Sequence, residues 1–140
     1  MNRAKQYLAR IGNLDTMITQ RQEQALQLRS TIVGISAIRY DKEAVQTSPE
    51  ADRMTDQLDK YYKMLNDIED MLCEYEDVKN RIIGQIHQMK DRRYMTVLFK
   101  RYVLYESLEK IAKEENYDYD WVRKLHGFAL DEFDRQFLRH

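Results

Sequence analysis

Two apolar seams, each advancing by alternating steps of four and three residues, constrain this chain more than any other feature. The first runs Tyr7, Ile11, Leu14, Ile18, Arg21, Ala25, Leu28, Ile32, Ile35, with Arg21 its one polar member. The second runs Met54, Leu58, Tyr61, Leu65, Ile68, Leu72, Tyr75, Lys79, Ile82, Ile86, Met89, with Lys79 its one polar member. A period near 3.5 residues sustained over this length is a helix with a narrow buried stripe. Burying a Leu or Ile side chain is worth about 1.5–3 kcal/mol, so neither seam can stay wet. The simplest solution packs the two helices against each other as an antiparallel hairpin.

The ends of these helices follow from local chemistry. The stretch Ser30-Thr31-Ile32-Val33, through its β-branched Thr, Ile and Val, weakens the first helix, and Gly34 can supply a left-handed cap. The first helix is therefore expected to end near Val33, with a loop over 34–47. Thr47-Ser48-Pro49-Glu50 offers a capping hydroxyl, a proline for the first turn and an acid for the helix dipole. The second helix is expected from about Ser48 to about Arg92. Its greater length would leave part of it uncovered, to meet a second subunit or the C-terminal segment.

Composition narrows the alternatives. Only 4 glycines and 1 proline occur in 140 residues, too few for a turn-rich β fold or a glycine-rich phosphate loop. A single cysteine, Cys73, excludes an internal disulfide framework and fits a reducing compartment. No apolar run approaches the ~18 residues of a membrane span, and the first residues lack a signal-peptide core. A cytoplasmic protein without membrane contact is the expectation. Net charge is −1 overall but is sorted along the chain: residues 1–40 carry +4, 41–78 carry −8, 79–110 carry +5 and 111–140 carry −2. The positive first segment suits the negative second one, and the +5 stretch is the candidate polyanion contact.

From Tyr94 the pattern changes to short elements. Met95, Leu98 and Tyr102 form one stripe, and Val103 to Glu106 interrupts it. Ser107 is a good N-cap for the helix that begins at Leu108. Ala112 is small enough for another helix to cross closely. Asn116-Tyr117-Asp118 is a turn, since Asn tolerates the left-handed conformation. Asp118 or Asp120 then caps a last helix to about Arg135. Helix, tight turn and helix is the helix-turn-helix plan, in which the second helix enters the major groove of DNA.

The segment Arg101-Tyr102, then Ser107-Leu108-Glu109-Lys110-Ile111-Ala112, then Trp121-Val122-Arg123-Lys124-Leu125-His126-Gly127-Phe128-Ala129-Leu130, resembles region 4 of sigma-70-type factors. It is more closely similar to a family of phage-encoded, sigma-region-4-like transcriptional regulators from prophages of Gram-positive bacteria. That family also shows the stretch matched here by Asp41-Lys42 and Val45-Gln46-Thr47-Ser48-Pro49, with long helices after it. The resemblance covers most of the chain and implies duplex-DNA binding in the control of phage genes, often late ones. Two positions depart from the sigma pattern: Asn116 stands where Gly is usual, and Trp121 where a small polar residue is usual.

The expected fold is thus all-α, with a long antiparallel, coiled-coil-like hairpin over 1–93 and a small helix-turn-helix domain over 94–140. At about 100° per residue, Val122, Leu125, Ala129 and Phe133 make the core face of the last helix. Asp120, Arg123, Lys124, Gly127 and Asp131 fall opposite. Arg123 and Lys124 are the expected groove contacts, and Gly127 permits close backbone approach. Lys100, Arg101, Ser107 and Lys110 are expected to meet phosphates. Trp121 and Phe128 are expected to pack on the hairpin, and Cys73 to be a thiol at a helix interface. His126 is expected to be a surface or half-buried polar residue.

His87, His126 and His140 are too scattered for a zinc motif, so no metal, cofactor or enzymatic role is expected. The expected partners are duplex DNA, host RNA polymerase, and further copies of the chain in a homodimer or higher oligomer through the long helices. Two alternatives remain open. One is a DNA-recognition subunit similar in plan to small terminase subunits. The other is a module that binds polymerase without touching DNA.

Overall fold

A computed structural model describes residues 2–41 and 49–139, with side chains described through residue 38 and again from 51. All its regular elements are helical, with no strand among the described residues. They are α1 (Arg3–Leu8), α2 (Arg10–Asp41), α3 (Pro49–His87), α4 (Arg92–Leu98), α5 (Leu108–Glu115) and α6 (Tyr119–Phe133), with single π-helical turns at Phe99–Val103 and Asp134–Leu138.

The side chain of Asn2 starts α1 by accepting the Lys5 amide at 3.2 Å. Ala9 keeps a right-handed helical conformation, so α1 and α2 are separated by one residue only. The first long helix does not stop at Val33. α2 continues to Asp41, so the loop expected over 34–47 is helical from 34 to 41. Gly34 keeps a negative φ and makes no cap. Thr31, Ile32 and Val33 lower helix propensity by only about a few tenths of a kcal/mol each, less than the burial of Ile32 and Ile35 on the seam contributes. The rest of that loop and the cap at Thr47-Ser48 lie outside the described residues. So does most of the upstream family-like stretch.

The second long helix ends earlier than expected. Gln88 and Met89 donate to the carbonyls of Gln85 and Ile86, three residues back, which tightens the last turn of α3. Asp91 then takes an extended conformation and caps α4, accepting the Arg93 amide at 2.9 Å. The side-chain hydrogen bond from Arg93 is the main reason the Asp91 carboxyl titrates below its usual range. An Asp ahead of Arg92-Arg93 is a start signal, overridden in the sequence reading by the unbroken seam.

The chain forms two compact units, residues 1–15 with 75–140, and residues 16–74; α2 and α3 each run through both. In the second unit, Ile18, Ala25, Ile32 and Ile35 of α2 and Ile68 of α3 are buried, as the seams require. Leu65 and Leu72, expected on the seam, are 39% and 40% exposed. The half-buried Met64 and Met71 take their place beside Ile68. In the first unit one cluster joins Ala4, Leu8 and Ile11 to Val78, Ile82 and Ile86 and to Leu98, Tyr102, Leu130 and Phe133. A second cluster holds Val97, Ile111, Ala112, Val122 and Leu125. The compact division therefore falls at 15/16 and 74/75, where a boundary at 93/94 was expected. A segment of about forty residues is at the lower limit for building its own core, and here the ends of the long helices complete it.

Candidate nucleic-acid interface

Val103 to Glu106 interrupts the helices because the π turn ends there. The Leu104 amide donates to the Phe99 carbonyl, and Tyr105 takes a left-handed φ of 60°. Ser107 then starts α5, its hydroxyl accepting the Lys110 amide at 3.1 Å. Asn116 ends α5 with φ 59° and ψ 42°. The amides of Tyr117 and Asn116 donate to the carbonyls of Ala112 and Lys113, which closes a Schellman-type cap. Asp118 occupies the N-cap position of α6 but makes no side-chain cap bond. Asp120 lies in the first turn of α6, where its charge favours the helix dipole.

Val122, Leu125, Ala129 and Phe133 of α6 are each fully buried, as expected for its core face. The opposite face is open. The Arg123 side chain is 62% exposed, and its guanidinium lies 3.9 Å from the Asp120 carboxylate, itself 86% exposed. It also lies 6.0 Å from the centre of the Tyr119 ring. A surface pair of this kind holds the cation only weakly and leaves it free to exchange partners. Lys124 is exposed. Apart from its chain neighbours and the backbone of its own helix, nothing lies within 4 Å of where a Cβ on Gly127 would sit.

The candidate phosphate contacts fare differently. Lys100 is held between Glu115 at 2.8 Å and Glu114 at 3.2 Å, with its side chain only 22% exposed. The hydrogen bond to Glu115 is the main reason its pKa is raised. Arg101 is half-buried and donates to the Glu106 carbonyl at 3.1 Å. Lys110 is exposed and 3.7 Å from the Glu106 carboxylate. Ser107 spends its hydroxyl oxygen on the cap. Lys100 and Arg101 thus act inside the fold, holding the π turn against α5 and the loop.

Three basic residues missed in the sequence reading stand at the start of α4. Lys90, Arg92 and Arg93 are exposed. Arg93 pairs with Asp91 and lies close enough to Tyr117, in the turn before α6, to interact with it electrostatically. The +5 charge of residues 79–110 was the available signal; only the packing of α4 on α6 assigns it a place.

Trp121 and Phe128 belong to neither buried cluster, where packing on the long helices was expected. They are 37% and 49% exposed and meet each other edge to face at 6.4 Å between ring centres. On α6 they project about 100° or more from the centre of the buried face, whereas Leu130 and Phe133 join the shared cluster. Cys73 is exposed, where a buried interface was expected. His126 is half-buried as expected, with Nε2 2.8 Å from the Tyr102 hydroxyl.

Among the described residues, no group of three or more His, Cys, Asp and Glu side chains could hold a metal ion. No helix among them is long and apolar enough to cross a membrane. No protein-family model, curated protein or solved structure matches the chain.

Proposed function

We propose that this protein binds duplex DNA by placing α6 in the major groove, as a transcriptional regulator resembling the sigma-region-4-like phage family. In this reading α5, the turn at Asn116 and α6 form a helix-turn-helix, and α2 with α3 forms a hairpin arm. It is a binding protein of the bacterial cytoplasm without a catalytic role of its own. The observation that carries the reading is the basic pair on α6. Arg123 and Lys124 are exposed on the face opposite Val122 and Leu125, both 0% exposed. Arg and Lys at such positions reach guanine edges or phosphates. Lys90 and Arg92 add exposed positive charge just before and at the start of α4, which packs on α6.

The test is titration of prophage DNA fragments at two salt concentrations. Arg123→Ala with Lys124→Ala is expected to weaken binding at least about tenfold and to flatten its salt dependence. Lys100→Ala is expected to leave the salt slope unchanged, because Lys100 is already neutralised by Glu114 and Glu115. Unchanged affinity in the Arg123 and Lys124 variant defeats the groove assignment.

The Trp121–Phe128 pair favours a second reading. An exposed aromatic pair beside Lys124 is also a surface for protein, and the last segment of the chain is acidic. In that reading the head docks on RNA polymerase without DNA. Polymerase retained on the immobilised protein, with no DNA shift at low salt, selects it.

A further inference from the structure

We propose that one long side of the α2–α3 pair is the interface for a second copy of this chain, which completes a four-helix bundle. Several large apolar side chains of these helices remain in water. On α2, Leu26 and Val33 are 62% and 60% exposed. On α3, Tyr62, Leu65 and Leu72 are 60%, 39% and 40% exposed. Leu58, seven residues before Leu65, is half-buried. Large apolar side chains exposed in this number call for a partner surface.

Met17 and Ile38 of α2, 48% and 51% exposed, lie on its other side, but the side chains named above are not scattered. Leu26 and Val33 each follow a buried seam residue, Ala25 and Ile32, by one position. Leu65 and Leu72 each follow a half-buried seam residue, Met64 and Met71, by one position. One position is about 100° around a helix, in the same sense on both. On two helices running in opposite directions side by side, displacements of the same sense emerge on the same side. The proposal rests on that hairpin reading, and it joins the leucines of both helices into one strip.

The charges on the strip identify its occupant. Arg29 lies between Leu26 and Val33, and Glu69 between Leu65 and Leu72. Residues 51–74 of α3 hold seven acids against three bases, whereas residues 16–38 of α2 hold one acid and two bases. A two-fold axis parallel to the helices lays α2 of one copy along α3 of the other. Apolar then meets apolar, and the cationic helix meets the anionic one, twice. The alternative two-fold, across the helices, sets acid against acid on α3. The surface is therefore self-complementary, as an isologous interface must be, and the product is a bundle with a shared apolar core.

Sedimentation equilibrium of the full chain at micromolar concentration decides the matter. The expected mass is twice the 17.0 kDa of one chain. A monomer, or a ring of many copies, overturns the proposal. Leu26→Lys with Leu65→Lys is expected to weaken the dimer at least about tenfold with helicity unchanged; a helical variant that still dimerises as well as the parent overturns it. If that variant loses helicity, a second pair decides. Leu26→Lys and Leu65→Glu are each expected to dimerise poorly alone and to form a heterodimer when mixed, because the lysine of one copy then lies level with the glutamate of the other. No recovery on mixing overturns the α2-on-α3 arrangement. Spin labels at Gln24→Cys and Asp67→Cys in a Cys73→Ser chain, diluted with unlabelled copies, report spacing within one chain. A short distance in a monomeric protein retains the hairpin and rejects only the interface.

Discussion

The Tyr102 hydroxyl lies 2.8 Å from Nε2 of His126, and the two rings stack with centres 5.7 Å apart. Burial pushes the tyrosine up to about 12, with Arg101 pulling slightly the other way. Burial first, then the charges of Arg101 and Lys5, pushes the histidine down to about 4. The pair is therefore neutral at pH 7, and it ties the π turn after α4 to the middle of α6.

This pair makes acid stability testable. The unfolded chain binds a proton on His126 near its ordinary value of about 6.5, and the folded chain resists it until about 4. The advantage of the neutral folded form is complete above about 6.5 and is lost as pH falls toward 4. Denaturant unfolding of the parent and His126→Gln at several pH values is expected to show a stability difference that is constant above 6.5 and narrows down to 4. A difference independent of pH defeats the assignment.

Asn116 and Ser107 close the two ends of α5. Asn116→Ala places an alanine at φ 59° and is expected to cost about 1 kcal/mol, whereas Asn116→Gly is expected to be nearly neutral or stabilising. Ser107→Ala is expected to cost about 1 kcal/mol through its lost cap. Urea midpoints at constant m check all three. An Asn116→Ala protein as stable as Asn116→Gly is incompatible with the left-handed conformation.

Two phenylalanines of α6 separate core from surface. Phe133 is fully buried, 4.8 Å from the ring centre of Phe137 and 5.8 Å from that of Tyr7. Phe133→Ala is expected to cost about 3–5 kcal/mol. Phe128→Ala is expected to change stability by under about 1 kcal/mol, since half its surface is already wet. Comparable losses in thermal unfolding would place Phe128 in the core.

Gly127 carries opposite expectations for stability and binding. Its backbone is helical in sign and nothing crowds its Cβ position. Gly127→Ala is expected to stabilise the fold by about 0.5–1 kcal/mol. The added methyl faces the proposed groove side, so DNA affinity is expected to fall while the midpoint rises. A more stable variant with unchanged DNA affinity removes Gly127 from the contact surface.

Much of the architecture was legible in side-chain periodicity. The first seam, the cap at Ser107, the left-handed Asn116 and the four buried residues of α6 each depend on neighbours within a turn or two. Local spacing and local hydrogen bonds suffice there. The end of α3 at His87 was obscured because Met89 continues the seam in sequence while the backbone has already turned. The extension of α2 to Asp41 was obscured because a glycine permits a cap without requiring one.

The sequence by itself determined that the chain is helical, where its short elements start and stop near the C-terminus, and which side of α6 faces water. Tertiary structure alone decided which charges are free. Lys100 and Arg123 are both basic residues on helical turns, indistinguishable by spacing, yet Glu114 and Glu115 neutralise one while the other faces solvent. It also decided that Ala4, Leu8, Ile82 and Ile86 belong to the same core as Phe133. The physical reason is that periodicity records which face of a helix avoids water, whereas the partner that covers it is set by residues distant in sequence.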